Sequence, residues 1–141
     1  MRLLFTRRNT VGSYLICLFT RSQWSHCVIV ESESSVIDST FSHGGVRRRS
    51  LASVYGESSK IEAVEIPVPD EASAIEYARA QIGKPYDWKA ILSFVFQRNW
   101  ADDRAWFCNE LAEACLAAGG KQRFREEISR ITPRESWMVI S

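Results

Sequence analysis

The chain has almost nothing from which to build a metal site or a disulfide frame. Its four cysteines, Cys17, Cys27, Cys108 and Cys115, include no C-x-x-C pair, and only two histidines, His26 and His43, accompany them. Spacing of this kind matches no zinc site, so neither a metal nor an organic cofactor is expected. An excess of charge of one sign is also lacking. The 18 Lys and Arg against 17 Asp and Glu leave a formal +1, too little to neutralise many phosphates, and no nucleic-acid partner is expected. The local run Arg47-Arg48-Arg49 has no interleaved aromatics and reads as a solvated loop or strand edge. Long apolar runs are missing too. Residues 1–19 are split by Arg7-Arg8-Asn9, and Tyr14-Leu15-Ile16-Cys17-Leu18-Phe19 is too short to cross a bilayer. No transmembrane segment and no export signal are read, which gives a cytoplasmic expectation with delivery outside the cell left open.

What is present fits one globular domain over residues 1–141. A hydrophobic share of 45% with 25% charged residues can bury a core without staples. Cys17, Cys27 and Cys115 sit among apolar neighbours and read as small buried hydrophobes in a reducing environment.

The first half is rich in strand signals and the second in helix signals, which points to an α+β fold with segregated elements. Short β-branched and aromatic stretches bounded by Gly, Ser and Asn predict strands over 3–6, 13–19, 26–31, 35–39, 45–50 and 61–66. Pro67-Val68-Pro69 ends that pattern, and Asp70 caps a predicted helix over 71–82 stopped by Gly83. Asp87 caps a second helix with Trp88, Ile91, Leu92, Val95 and Phe96 on one face, and 99–104 is a polar connector. A third helix runs from Trp106-Phe107-Cys108 to Gly119-Gly120, and 131–140 is expected to return as a loop and short strand.

Cys108 alone among the cysteines falls in the first turn of a predicted helix. Free N–H groups and the helix dipole stabilise a thiolate there and can hold an oxyanion. On position alone, a buried structural thiol is the simpler reading. A cysteine nucleophile needs a base. His26 opens the apolar strand Cys27-Val28-Ile29-Val30, and His43 lies in the turn Ser42-His43-Gly44-Gly45. A third polar group would fix the imidazole tautomer. Asp38, on the strand after His26, could stand beside it across an antiparallel pair, or could face solvent as a strand-end acid.

Taken together, Ser25-His26-Cys27-Val28-Ile29-Val30, the following strand with Asp38, Ile82-Gly83-Lys84-Pro85-Tyr86-Asp87-Trp88, and Trp106-Phe107-Cys108-Asn109-Glu110-Leu111 resemble a known pattern. It is that of the circularly permuted branch of the NlpC-type papain-like superfamily, which includes YiiX-like proteins and relatives of lecithin:retinol acyltransferase. The resemblance covers roughly 13–119, with Thr132-Pro133 also similar. It implies a permuted papain-like fold, a small barrel-like antiparallel sheet packed on about three helices. It further implies Cys108 as nucleophile, His26 as general base and Asp38 as third member, where relatives often carry His, Glu or Gln. The usual Gly-Asp before the first strand is replaced by Gly12-Ser13-Tyr14. The implied activity is that of a cysteine peptidase or amidase acting through a thioester on a peptide, peptidoglycan fragment or acyl substrate. Two other readings stand beside it: a lipid acyltransferase or thioesterase of the same fold, and a non-catalytic binding module of a phage or secretion assembly. Trp24, Tyr86, Trp88 and Asn109 are the candidate substrate-binding residues, the aromatics reading equally as core. The particular substrate and the oligomeric state stay open.

Overall fold

The structure, a computed structural model, describes residues 1–89, 105–124 and 131–140. It is α+β. Five strands, β1 (Arg2–Arg7), β2 (His26–Val30), β3 (Ser35–Thr40), β4 (Gly45–Ser50) and β5 (Lys60–Glu65), form one sheet in the order β4-β3-β2-β1-β5. Every ladder is antiparallel. Five helices are defined among the described residues: α1 (Val11–Thr20), α2 (Leu51–Glu57), α3 (Glu71–Ala80), α4 (Cys108–Ala118) and α5 (Pro133–Met138). β4 and β5 lie at opposite edges of the sheet, so among the described residues no ladder closes it into a barrel.

Period-two alternation gives the sheet two apolar faces. Leu3, Phe5, Cys27, Ile29, Ile37 and Val46 join Ala74 and Ala78 of α3 and Leu111, Ala112, Cys115 and Leu116 of α4 in the larger core. Leu4, Val28, Val30 and Val36 face the other way and are covered by Val54 of α2. Burying both faces explains why β2 is apolar from Cys27 to Val30. Trp24 sits at the end of the larger core, with its ring 5.0 Å from Trp137 and 6.4 Å from Phe5.

Five of the six predicted strands form, and the sixth is a correction: residues 13–19 belong to α1. Apolar content in that run suggested a buried strand. Thr10, whose hydroxyl accepts from the Ser13 N–H, and Arg21, a left-handed C-cap with φ 50°, make it a helix of ten residues. The first strand of the sheet is therefore β1, ahead of the region the resemblance covered. Residues 131–140 hold a helix where a strand was expected. Thr132 and Glu135 form a reciprocal capping box around Pro133, the first residue of α5. α2, seven residues capped by Ser50, went unpredicted because only Leu51 and Val54 carry its apolar side. The helix predicted after Asp87 is entered at Trp88 and Lys89, and its remainder lies outside the described residues.

The end of the chain is held by a buried charge. The Arg123 guanidinium pairs with Glu113 of α4 and donates to the Ser136 hydroxyl and the Val139 carbonyl, tying α4 to α5.

Candidate active site

Three chain segments converge where α4 begins. Trp106 is extended and bridged to Tyr86; its N–H donates to the Pro85 carbonyl at 3.0 Å. Its own carbonyl accepts the buried Ser39 hydroxyl at 2.6 Å, which fastens the approach to Cys108 onto β3. The 83–86 turn is laced to the start of β4 through Val46 and Gly45. Gly45 has φ 142°, and a Cβ there would stand 2.1 Å from the Lys84 carbonyl oxygen, so only glycine permits this approach.

Phe107 is the extended residue before α4, and it has no polar side chain to cap the helix. Glu110 supplies the cap instead, accepting the Phe107 N–H at 3.1 Å. Burial, which is the main influence, carries the Glu110 carboxyl up to about 7; the Phe107 hydrogen bond opposes this and Asp87 adds to it. Cys108 follows as the first helical residue, 2% exposed. In this first turn, the N–H groups of Cys108 and Asn109 have no carbonyl of their own helix to bind.

His26 is the first residue of β2, so its ring stands at the end of the sheet. Its Nε2 lies 3.0 Å from Asp38 Oδ2. Cys108 lies close enough for its charge to act on the imidazole, while its thiol hydrogen bond runs to Asn109 Oδ1 at 3.4 Å. Burial works to lower the His26 pKa. It is outweighed by the Cys108 charge and then by the Asp38 hydrogen bond, and the imidazole is carried up to about 9. Asp38 is 1% exposed. Burial alone would raise its pKa, but its bond to His26 and the charges of His26 and Arg49 hold it below the usual carboxylate value.

The second partner of Asp38 went unread in the sequence. Arg49 donates from Nη1 to Asp38 Oδ2 at 3.1 Å and from Nη2 to Glu57 Oε2 at 2.7 Å, with its side chain only 7% exposed. The expectation of a solvated strand edge at 47–49 holds for Arg47 and Arg48, exposed on the edge strand β4, and is corrected at Arg49. Arg48 is exposed and paired with Glu31, whereas Arg49 turns inward to the carboxylate. Strand alternation was the available signal, because residues 48 and 49 must face opposite sides. Arg49→Met is expected to destabilise the fold by about 2 kcal/mol by leaving Asp38 with one buried partner fewer. Chemical denaturation measures this, and an unchanged midpoint would show that the guanidinium carries none of the pair's stability.

The remaining candidates separate. Tyr86 lies beside the site, its ring 6.1 Å from Phe107 and 6.0 Å from Phe41. Burial, then the charges of Cys108, Glu110 and Asp87, push its phenol above the ordinary value. Trp88 is exposed, as is Phe41, an aromatic in the turn after β3 that sequence reasoning passed over. Asn109 is 0% exposed; its Oδ1 accepts from the Cys108 thiol at 3.4 Å while its Nδ2 has no hydrogen-bond partner. Trp24 is corrected: at 1% exposure, inside the aromatic cluster with Phe5 and Trp137, it presents no face to a cleft. His43 stays in its turn, with Nδ1 2.9 Å from the Thr40 hydroxyl. A groove of about 760 Å³ runs along α3 past Glu71, Ile75, Glu76 and Arg79, and it includes none of these residues. Among the described residues, no group of three or more His, Cys, Asp or Glu could hold a metal ion, and no helix is long and apolar enough to cross a membrane.

No family model matches the chain, and no curated protein is detectably similar to it.

Proposed function

We propose that the chain is a cysteine hydrolase of permuted papain-like fold, an amidase or peptidase with Cys108 as nucleophile, His26 as general base and Asp38 as the residue that orients it. The observation that carries this reading is the imidazole of His26, held at Nε2 by a buried carboxylate and within reach of the charge of a cysteine in the first turn of a helix. A buried structural cysteine requires neither partner.

In this mechanism His26 Nδ1 takes the Cys108 proton, and the thiolate attacks an amide carbonyl to form a C–S bond. The Cys108 backbone N–H and the unpartnered Asn109 Nδ2 receive the oxyanion. His26 then gives its proton to the departing amine, leaving a thioester. Water, deprotonated by the same nitrogen, breaks the C–S bond, releasing the acid and returning the thiol. Asp38 keeps its negative charge throughout and stabilises the imidazolium. Phe41, whose ring lies 6.0 Å from that of Tyr86, and Trp88, whose backbone N–H donates to the Tyr86 carbonyl, are both exposed and give the approach an aromatic rim in this reading. Such a rim suits a peptide or peptidoglycan fragment with an apolar face, and it is the observation in favour of an acyl substrate as the second reading.

Alkylation across pH tests the proposal without a known substrate. Cys108 is expected to react with iodoacetamide ahead of the other three cysteines, because it alone stands in the first turn of a helix beside an imidazole. Cys27, Cys115 and Cys17 should lag, since burial pushes all three thiols up, Cys115 to about 12. Peptide mapping that found Cys108 no more reactive than the other three cysteines would remove the enzyme from consideration.

A further inference from the structure

α1 is amphipathic in the reverse sense. Its inward residues are Ser13, Ile16, Cys17 and Thr20, of which the buried pair, Ser13 and Thr20, are polar. Ser13 Oγ lies 2.5 Å from Ser25 Oγ, and the Thr20 hydroxyl donates to the Ile16 carbonyl at 2.7 Å, so the inner face is satisfied by hydrogen bonds rather than by apolar packing. The outer face is apolar: Val11 is 77% exposed, Tyr14 53%, Leu15 46%, Leu18 70% and Phe19 50%. Those five positions follow helical spacing and form one continuous stripe. A ten-residue helix with this profile cannot span a bilayer, which needs about twenty residues. It can lie along one.

Charge identifies what the stripe faces. No acidic residue precedes Glu31 in the chain. The stripe is flanked by Arg7 at the end of β1 and Arg21 at the end of α1; Lys60, opposite Arg7 at the start of β5, stands over the Trp24 ring at 4.7 Å. The Arg7 guanidinium lies 6.0 Å from the Tyr14 ring centroid, and the Lys60 ammonium donates to Gln23. Among the described residues none of the three basic groups is in an ion pair, unlike Arg8, which is bridged to Glu57. A protein partner would be expected to bring apolar area alone or acids placed one by one. An apolar stripe flanked by unpaired cations matches the layered chemistry of an anionic membrane surface, with acyl chains beneath phosphate.

We infer that α1 is an interfacial anchor that docks the domain on an anionic lipid surface, with Val11, Leu15 and Leu18 entering the acyl boundary and Arg7, Arg21 and Lys60 meeting the headgroups. This does not depend on the cysteine chemistry: Cys108→Ala should dock as the wild type does, so a failure of one proposal leaves the other standing.

Flotation of the full chain with vesicles tests it. The wild type should bind mixed phosphatidylglycerol and phosphatidylcholine vesicles, bind phosphatidylcholine alone more weakly, and release as salt is raised. The double variant Val11→Ser with Leu18→Ser removes two exposed side chains that touch no core, and should lose at least about tenfold in vesicle affinity. Hydrogen exchange on the wild type, with and without vesicles, gives a second measurement should the double variant fail to fold. Amides of α1 should gain protection on binding while those of β2 stay unchanged. Absence of binding by the wild type, full binding by the double variant, or no added protection in α1 would each overturn the inference. So would a wild-type dimer that the double variant makes monomeric, because a second copy would then be what covers the stripe.

Discussion

Replacing Cys108 with Ala should abolish covalent capture of acyl probes and reduce any hydrolytic turnover by about 10³-fold or more, since the nucleophile, base and orienter act as a unit. The fold should survive. The thiol is buried at the first turn of α4, where Ala is an excellent helix former, and the small void left behind is expected to cost about 1 kcal/mol or less. A consequence independent of any substrate separates this outcome from simple damage. Among the influences that raise the His26 pKa, the Cys108 charge is the largest, followed by the Asp38 hydrogen bond. Removing the sulfur should therefore let the imidazole titrate well below the value of about 9 it reaches in the intact site. With only two histidines in the chain, NMR titration of the ring protons can follow each one, and His43 serves as the internal control. An unmoved His26 titration in Cys108→Ala would mean that the two side chains do not share charge, and the catalytic assignment would fall with that result.

The electrostatic design of the site follows from burial. Burial opposes a charged imidazole, so His26 can carry a proton there only where an opposite charge compensates it. Asp38 compensates the imidazolium, and Arg49 in turn compensates Asp38 before passing on to Glu57 and, through it, Arg8. This chain of alternating charges runs from the buried end of the site to the exposed edge of α2, so no member is left as an uncompensated buried ion. Arg49 draws on the same Asp38 oxygen as His26. It therefore moderates the carboxylate's pull on the imidazole, leaving His26 basic enough to accept a proton and still able to return it.

How much of this was legible in the sequence differs by element. Strands flanked by turn chemistry and carrying β-branched residues were readable because local pattern and tertiary burial agree there: β2 is apolar from Cys27 to Val30 and buried on both faces. Helix α1 was misread because its apolar residues point outward, which inverts the assumption that apolar means core. The sequence signal for it, the cap residue Thr10, went unread. The pairing of His26 with Asp38 was inferable from two adjacent antiparallel strands of matched phase. The burial of Arg49 was not inferred, because a run of three arginines reads as solvent-exposed until alternation assigns each to a side. Trp24 illustrates the opposite limit. Nearness in sequence to His26 suggested a cleft residue, but large aromatics at a strand's start are drawn first into the core, here onto Phe5 and Trp137.

Asp38→Asn preserves shape and removes charge, and it should lower turnover by roughly 10² to 10⁴-fold while binding of substrate is little affected. Two effects combine. The amide no longer holds the Nε2–H tautomer reliably, and the imidazolium loses the carboxylate that stabilises it. The pH dependence of stability should change shape as well. His26 is raised from 6.5 to about 9 in the folded chain, so its contribution is complete below 6.5 and is lost as pH climbs through about 9. Asp38 is lowered from 3.8, so its contribution is present above 3.8 and is lost as pH falls through the depressed folded value. The wild type should accordingly show a plateau between these limits, with losses on both sides. In Asp38→Asn the acid-side loss from this group vanishes, because there is no carboxylate to protonate. The alkaline loss should be smaller and finish at lower pH, because His26 keeps only the Cys108 contribution, and the plateau itself should drop by about 1 to 3 kcal/mol for the partners left unmatched. Urea melts across that range, run alongside Cys108 alkylation, report both halves of the prediction. Were Asp38→Asn to retain the wild-type alkylation profile and the wild-type alkaline limb, Asp38 would be a structural acid holding Arg49 in place, and the site would reduce to a cysteine and a histidine without an orienter.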